Sequence, residues 1–366
     1  MRKTRIIISV TSDLCTDQRV QKVSLSLYEA GYDVLLVGRK QKQSPSFYSA
    51  YPFKRLRLIF EKSFLFYAEF NIRLFFFLLF KRVDIVLSND TDTLIPNFLI
   101  AKIRRKKLVF DAHELFPEVP EVTDRKLVKA VWTSVENIIF PHLKNCYTVC
   151  QSIADYYNKR YGINMQVIPN FSYSEKEKPT PQLDFKGKKI ILYQGAVNVG
   201  RGIEWVIDAM PLIENAVLVI IGKGDIYSQL KLKVREMNLN NKVIFVGKVN
   251  PTELPAYTCS ANIGLCLLEP KGLSYYYSLP NRIFDFMAAG VTILATDFPE
   301  IANVVQTHCT GKVISHYEPA YLAETIQNML SEWDEKEKER LKNLSKNFCW
   351  EKEEKKLISI FQQSKK

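Results

Sequence analysis

No two of the seven cysteines stand as a CxxC pair; Cys15, Cys146, Cys150, Cys259, Cys266, Cys309 and Cys349 are scattered along 366 residues. An odd number without a framework argues against a disulfide scaffold and for a reducing compartment. Cys146 and Cys150 flank a strand-like run, a place for core thiols rather than zinc ligands. Helix-turn-helix spacing, zinc-finger spacing and an RNP-like aromatic pattern are also missing, so the net charge of +12 does not point to nucleic acid. No repeat of fixed period is visible. No GxGxxG follows the first apolar run with an acid about 20 residues on, which disfavours a nicotinamide dehydrogenase. The opening "MRKTRIIISV" carries basic residues but too short an apolar run for a signal peptide. It reads as a first strand, and it predicts a cytoplasmic protein.

What is present is globular: 47% hydrophobic and 25% charged residues, over a length that suits two domains. One stretch stands apart, "SFLFYAEFNIRLFFFLLFKR" at 63–82, preceded by Lys54, Arg55 and Arg57 and closed by Lys81 and Arg82. Glu69, Asn71 and Arg73 interrupt it, leaving Leu74–Phe80 as the one unbroken apolar run, too short to span a bilayer. Two readings stay open. The segment is either a helix in the core or an aromatic, basic-flanked helix lying in the interface of an anionic membrane. The net charge favours the membrane surface.

The first half alternates strand and helix patterns, with strands at Ile6–Val10, Val34–Val37, Ile85–Leu87, Leu108–Phe110, Cys146–Val149 and Gln166–Ile168. Repeated βα units of this kind build a parallel, doubly wound sheet. A polar run with two prolines, "NFSYSEKEKPTPQLDFKGKK", breaks the rhythm. Beyond it the same grammar restarts with "KIILYQGAVNVGRGIEWVIDAM", "AVLVIIGKGD", "KVIFVG", "ANIGLCLL" and "VTILAT". The expected organisation is an N-terminal domain over 1–172, a linker over 173–188 and a second domain over 189–349. The helix 350–366, with Trp350, Leu357, Ile358 and Phe361, is expected to dock back on the first domain. Two such domains would enclose a cleft, and ligands of parallel sheets bind beyond the carboxyl ends of the strands.

The loops after the strands therefore hold the candidates. In "SLPNRIFDFMAAG" Ser278 can cap a helix, Leu279 follows and Pro280 falls in the first turn, where a missing N–H is harmless. The free amides there suit a phosphate. Asn281 and Asp285 share a face. Arg282, three residues before Asp285, either pairs with it or leaves it free to accept hydrogen bonds from a ribose diol. In the first domain His113 follows "LVFDA" at a strand end, beside Asp111 and Glu114. Asp13, Asp17, Asn89 and Asp90 lie in two further loops where acceptor contacts are expected. Asp17 is equally a helix N-cap. The quartet "NDTD" at 89–92 has no second acidic cluster to complete a metal cage.

These residues carry a resemblance. "SLPNRIFDFMAAGVTILATDFPE" is similar to the C-terminal signature of the retaining GT-B glycosyltransferases of the GT4 class. "TSDLCTDQRVQKVSLSLYEAGYDVLLVGR", "DAHELFPEV", "VIPN", "YQGAVNVGRGIE" and "VIIGKGD" resemble further segments of that class in the same order. The resemblance implies an α/β fold of two facing Rossmann-like domains with a cleft between them, and a nucleotide diphosphate sugar held on the C-terminal one. It places Gly195, Arg201 and Gly202 in the loop after that domain's first strand, with Arg201 on the diphosphate. Lys223 is a second cation or a turn lysine. Asp285 takes the place of the ribose-binding acid, and His113 faces the donor sugar. It implies no metal or other cofactor and, for the apolar basic segment, a lipid-linked saccharide acceptor at the inner face of the cytoplasmic membrane, in surface polysaccharide or lipopolysaccharide assembly. The chain departs from the class at three points. Tyr277 stands where the first acid of a Glu-x7-Glu pair would fall, and Ala196 replaces an arginine. "TSDLCTD" replaces a glycine-rich loop. A GT-B nucleotide-sugar epimerase and a non-catalytic partner subunit are the competing readings.

Overall fold

The computed structural model describes residues 2–42, 44–174 and 179–363, with the backbone alone at Glu121. They fall into two compact units. The first comprises the chain up to Asn170, Gly272–Ser274 and the chain from Glu351 on; the second comprises Phe171–Lys271 and Tyr275–Trp350.

The first unit is built on strands β1 (Arg5–Asp13), β2 (Asp33–Lys40), β3 (Phe53–Arg57), β4 (Ile85–Asn89), β5 (Lys107–Ala112), β6 (Asn145–Thr148) and β7 (Gln166–Val167). They pair in parallel in the order β3-β2-β1-β4-β5-β6-β7. Ile6, Ile7 and Ile8 are all fully buried, although alternate residues point to opposite faces, so the sheet is covered on both sides. That is why β1 reads as an unbroken apolar run. The strand order reverses at β1, which makes the loops after β1 and β4 the switch point of the sheet.

Strand β3 is missing from the sequence reading. Its Lys54, Arg55 and Arg57 were expected only as a basic flank, yet they form an edge strand whose register runs from Leu36↔Phe53 to Lys40↔Arg57. The alternation Phe-Lys-Arg-Leu-Arg lacks an apolar run because the strand is exposed along much of its length. Helix α1 (Gln18–Glu29) follows β1, and α2 (Ser63–Phe80) follows β3 as one unbroken 18-residue helix. Glu69, Asn71 and Arg73 do not interrupt it. Glu69 accepts the N–H groups of Ile59 and Phe60 and pairs with Arg73 at 2.8 Å, and Asn71 donates to the Asp92 carbonyl. Contrary to the expectation of a run too short to span, α2 is by length and composition long enough to cross a membrane. Its fully buried stripe is Phe66, Phe70, Leu74 and Leu78, flanked by the partly buried Tyr67, Phe75, Phe77 and Leu79, so the core reading holds for that side of the helix.

The second unit has strands β8 (Lys189–Gln194), β9 (Ala216–Ile221), β10 (Val243–Gly247), β11 (Ile263–Cys266), β12 (Thr292–Thr296) and β13 (Gly311–Ile314). Again all are parallel, in the order β10-β9-β8-β11-β12-β13, with the reversal between β8 and β11. One core lies on each face of this sheet. Gly264 lets the helix Arg282–Ala289 approach closely, since a Cβ there would stand 2.5 Å from the Phe286 ring.

The expected linker is not a free connector. Residues 175–178 lie outside the described set. On either side Phe171 packs on Phe284 and Phe348, and Gln182 donates to the Ala256 carbonyl and the Ser260 hydroxyl, all within the second unit. The C-terminal helix Trp350–Gln363 buries Leu357, Ile360 and Phe361, with Phe361 against Tyr32 of the first unit; Ile358 is only half-buried, and Trp350 belongs to the second unit.

Candidate functional site

In the second unit the loops after β8 and β9 interlock through their backbones. Gly195 (φ +135) donates to the Ile221 carbonyl at 3.0 Å, and a Cβ at Gly222 would fall 1.8 Å from the Gly195 oxygen. Only glycine permits that approach. Gly202 (φ +65) enters the next helix, Ile203–Ala209, in the left-handed conformation. Lys223 is exposed, its stem passing 3.8 Å from the Cβ position of Gly247.

Two guanidinium groups meet here. Arg201 lies over the Tyr275 ring at 4.5 Å, and Arg282 lies over the Tyr193 ring at 4.9 Å and 3.4 Å from the Cβ position of Gly195. Burial pushes the Cys266 thiol, at the end of β11, up to about 11, and both guanidiniums sit close enough to oppose that shift. Among the described residues neither arginine has a carboxylate partner, and Arg201 Nε and Arg282 Nη1 are buried without a hydrogen bond. Two cations held on aromatic faces, without a carboxylate partner among the described residues, give this switch point the chemistry that suits an anion. The alternative in which Arg282 pairs with Asp285 is therefore set aside. Asp285 instead accepts from the Ser172 hydroxyl at 2.9 Å and, at 3.4 Å, from Gln194 at the end of β8.

The helix itself starts later than the sequence suggests. Its first residue is Arg282 with Asn281 at the cap, and the Ser278 hydroxyl donates back to the Tyr275 carbonyl instead of capping. Pro280 and Leu279 thus precede the helix; Pro280 supplies its carbonyl to the N–H of Ile283. Physically, Ser278 closes the short helix Leu273–Tyr276 before the chain can turn. Tyr277 rests against Tyr276 at 5.3 Å. Glu269 lies beside the same loop, donating its N–H to the Gly200 oxygen and pairing with Lys271 at 2.9 Å.

In the first unit the switch-point loops build a second polar centre. Asp111 ends β5 fully buried and is gripped through both oxygens by Arg19, at 3.0 and 2.8 Å, which also donates to the Ile168 carbonyl. Burial alone would raise the Asp111 carboxyl; Arg19 and His113 outweigh it and hold it at about 2. His113 stands between two acids, Nδ1 at 3.2 Å from Asp90 and Nε2 at 3.2 Å from Asp111. Burial opposes its charge, but these two carboxylates prevail and hold the imidazolium, raising its pKa to about 10. Asp90 also accepts the His113 backbone N–H at 2.7 Å from a strained backbone, φ 55° and ψ 169°.

The other acceptor-side candidates have structural partners. Asp17 caps α1 through the N–H of Val20 and accepts from Ser12. Asp13 is buried against Arg55 at 3.0 Å and accepts the Ser44 hydroxyl. Asn89 is fully buried and donates to the Ser9 carbonyl, tying β4 to β1. Of that group only Asp90 reaches His113. Three residues of this centre escaped the sequence reading. Arg19 and Glu136 look like solvent-facing helix residues, and Asp92, which accepts from Thr11, was read only as part of an acidic quartet. Among the described residues no group of three or more His, Cys, Asp or Glu is arranged to hold a metal ion.

Two parallel-sheet α/β units, each with its polar centre at the switch point, define the class of the GT-B glycosyltransferase folds. Residues 188–332 match the family described as glycosyl transferases group 1, and residues 18–172 match glycosyltransferase family 4. The chain belongs to the glycosyltransferases of the GT4 type. It is similar to an uncharacterised glycosyltransferase of Methanocaldococcus jannaschii, 26% identical over 48% of this chain and 45% of the relative. The match spans about half the length of such curated relatives. Among solved structures it resembles a sucrose-phosphate synthase from Thermosynechococcus elongatus, with a TM-score of 0.79, 20% identity and 99% of both chains covered. It also resembles Anabaena HepE in complex with UDP-glucose, with a TM-score of 0.76, 14% identity and 98% and 99% covered.

Proposed function

We propose that this protein transfers a glycosyl residue from a nucleotide diphosphate sugar to a lipid-linked saccharide, with retention at the anomeric carbon. The observation that carries the reading is the pair of unpaired guanidiniums, Arg201 and Arg282, at the reversal between β8 and β11. A departing nucleoside diphosphate gains negative charge as the glycosidic bond to phosphate breaks. Fixed cations aimed at that point stabilise the transition state more than the ground state. Asp285, beside Gln194, is assigned to the ribose diol. Lys223, Gly195, Gly202 and the segment Ser278–Asn281 line the donor position. The bond from the anomeric carbon to the acceptor oxygen forms on the leaving-group side, and the acceptor proton passes to a diphosphate oxygen. His113, kept charged by Asp90 and Asp111, is assigned to the donor sugar. No metal is needed, because the arginines supply the positive charge.

The acceptor assignment rests on the outer face of α2. Phe64, Ile72, Phe76 and Phe80 are exposed there, and Ile95, Leu99 and Ile103 of the adjoining helix α3 (Leu94–Ile103) are exposed as well. Lys81 lies over Phe77 and Lys102 over Phe98, so cations border the apolar surface. Aromatic and aliphatic side chains ringed by lysines suit the interface of an anionic bilayer. The protein is accordingly assigned to the cytoplasmic face of the membrane as a peripheral enzyme of surface polysaccharide or lipopolysaccharide assembly.

The test is transfer itself. UDP-, GDP- and ADP-sugars are offered with a lipid extract, and the product anomer is read by NMR. Consumption of one donor with the anomeric configuration kept supports the reading. An inverted product rejects retention, epimerised donor rejects transfer, and an inert protein that binds no donor points to a non-catalytic partner subunit.

A further inference from the structure

We propose that Glu136 is a positioning residue for the His113 centre, holding the loop that carries Asp90 in the conformation that faces the imidazole. This rests on the reading of His113 and Asp90 as site groups. Glu136 lies on the helix Lys126–Ile139 between Trp132 and Ile139 on the buried face and is only 1% exposed, an acid where the stripe is otherwise apolar. Among the described residues it has no cationic partner within ion-pair distance. Three hydroxyls hold it instead: Thr91 and Tyr157 donate to Oε1 at 3.2 and 3.3 Å, and Tyr161 donates to Oε2 at 3.0 Å.

Those three partners show what the carboxylate does. Thr91 directly follows Asp90, whose φ of 55° with an extended ψ is a conformation that a residue with a side chain adopts only under restraint. Tyr157 also stands 3.3 Å from the Glu114 carbonyl, directly after His113. Through Thr91, Glu136 holds the segment of Asp90, and it shares the single Tyr157 hydroxyl proton with the Glu114 carbonyl, all without touching Asp90 or His113. A buried acid without an ion-pair contact is costly, and burial pushes its carboxyl up to about 7 against the hydroxyls and the more distant Arg160. A hydrophobic residue would fill the place at less cost, but it would take the side-chain acceptor from Thr91 and Tyr161 and leave Tyr157 with the Glu114 carbonyl alone.

The charged groups that act on His113 are Asp90, Asp111, Asp92 and Arg19, while Glu114 acts on Asp90. If Thr91 loses its anchor, Asp90 relaxes away from the ring, while Asp111, gripped by Arg19, stays. The experiment is an NMR titration of the His113 ring in the full chain, its signal assigned with His113→Gln. Loss of one of two facing carboxylates should lower the His113 midpoint by about one to three pH units in Glu136→Ala and in Thr91→Val. Glu136→Gln keeps a carbonyl acceptor for Thr91 and should leave the midpoint in place. Thr91→Val decides the matter if Glu136→Ala does not fold. An unmoved midpoint in folded Thr91→Val overturns the proposal, as does a shift in Glu136→Gln equal to that in Glu136→Ala. The titration needs no donor. A lowered midpoint in a protein without transfer activity would keep the positioning role and reject the transferase reading.

Discussion

Asp90 holds His113 twice: Oδ1 accepts the backbone N–H at 2.7 Å and Oδ2 faces ring Nδ1 at 3.2 Å. With Asp111 on the other ring nitrogen, the imidazole is bracketed by two carboxylates, and its folded-state pKa is raised to about 10. A histidine raised in the folded state contributes stability that is complete below its ordinary value of about 6.5. That stability is lost as pH rises through about 10. With the buried Asp90 carboxyl itself raised to about 7, urea unfolding of wild type and His113→Gln should therefore show a difference that shrinks steadily from about pH 7 up to the folded pKa. A difference independent of pH would mean that the ring is held neutral.

Arg201 and Arg282 should be separable from folding. Because neither has a carboxylate partner among the described residues, Arg201→Ala should leave the unfolding midpoint close to wild type. Transfer should fall by about 100- to 1,000-fold if Arg201 meets the developing diphosphate charge. A variant that unfolds early and transfers normally when folded would make Arg201 a packing residue on Tyr275.

Arg55 should behave in the opposite way. It was grouped by sequence with Lys54 and Arg57 as a basic flank, but Arg55 and Asp13 form a buried pair, with side chains 9% and 7% exposed. Arg55→Ala leaves the Asp13 carboxylate with the Ser44 hydroxyl and the Cys15 N–H but without its cation, and should destabilise the first unit by about 1–3 kcal/mol. Lys54→Glu and Arg57→Glu should change stability little. On vesicles rich in phosphatidylglycerol, Phe76→Glu with Phe80→Glu should abolish co-sedimentation, because those rings lie on the open face of α2. Binding that survives this change would place the membrane contact elsewhere, and loss of self-association instead of vesicle binding would make the face a protein interface.

Gly264→Ala tests the seating of the donor-side helix. The added methyl would meet the Phe286 ring at 2.5 Å, which forces the helix Arg282–Ala289 outward. The expected cost is about 1–3 kcal/mol, read by thermal unfolding, with weaker nucleotide binding because Arg282 and Asp285 ride on that helix. Normal binding with lowered stability would show that the helix start moves independently of the strand beneath it.

How much of this was legible depended on whether a residue's role is local. The runs that became β1, β4, β5, β8 and β9 are apolar on both faces, so continuity of Ile, Val and Leu announced them. Gly195, Arg201 and His113 stood out as candidates because motifs place them in loops after strands, and Asp285 because its motif places it on the helix Arg282–Ala289. Strand β3 escaped because an exposed edge strand has no such run. Ser278 looked like a cap until the structure showed its hydroxyl committed to Tyr275. Arg19 and Glu136 were invisible for a different reason. Helical spacing puts Glu136 on the face of Trp132 and Ile139 and Arg19 on the face of Val23. But Arg19 meets Asp111 across 92 positions and the hydroxyls that hold Glu136 come from 21 to 45 positions away, so nothing in their own segments supplies the partners that let a charge be buried. Pairing across a sheet is written in the topology, and a single segment does not carry it.

The measurement that tests the central claim most directly is calorimetric titration of UDP, GDP, ADP and NAD into wild type and Asp285→Ala, each with and without chelator. The account expects one nucleoside diphosphate to bind in the presence of chelator and Asp285→Ala to weaken it severalfold or more. Binding of none of them, or binding that Asp285→Ala leaves unchanged, would contradict a donor site at the start of the Arg282–Ala289 helix.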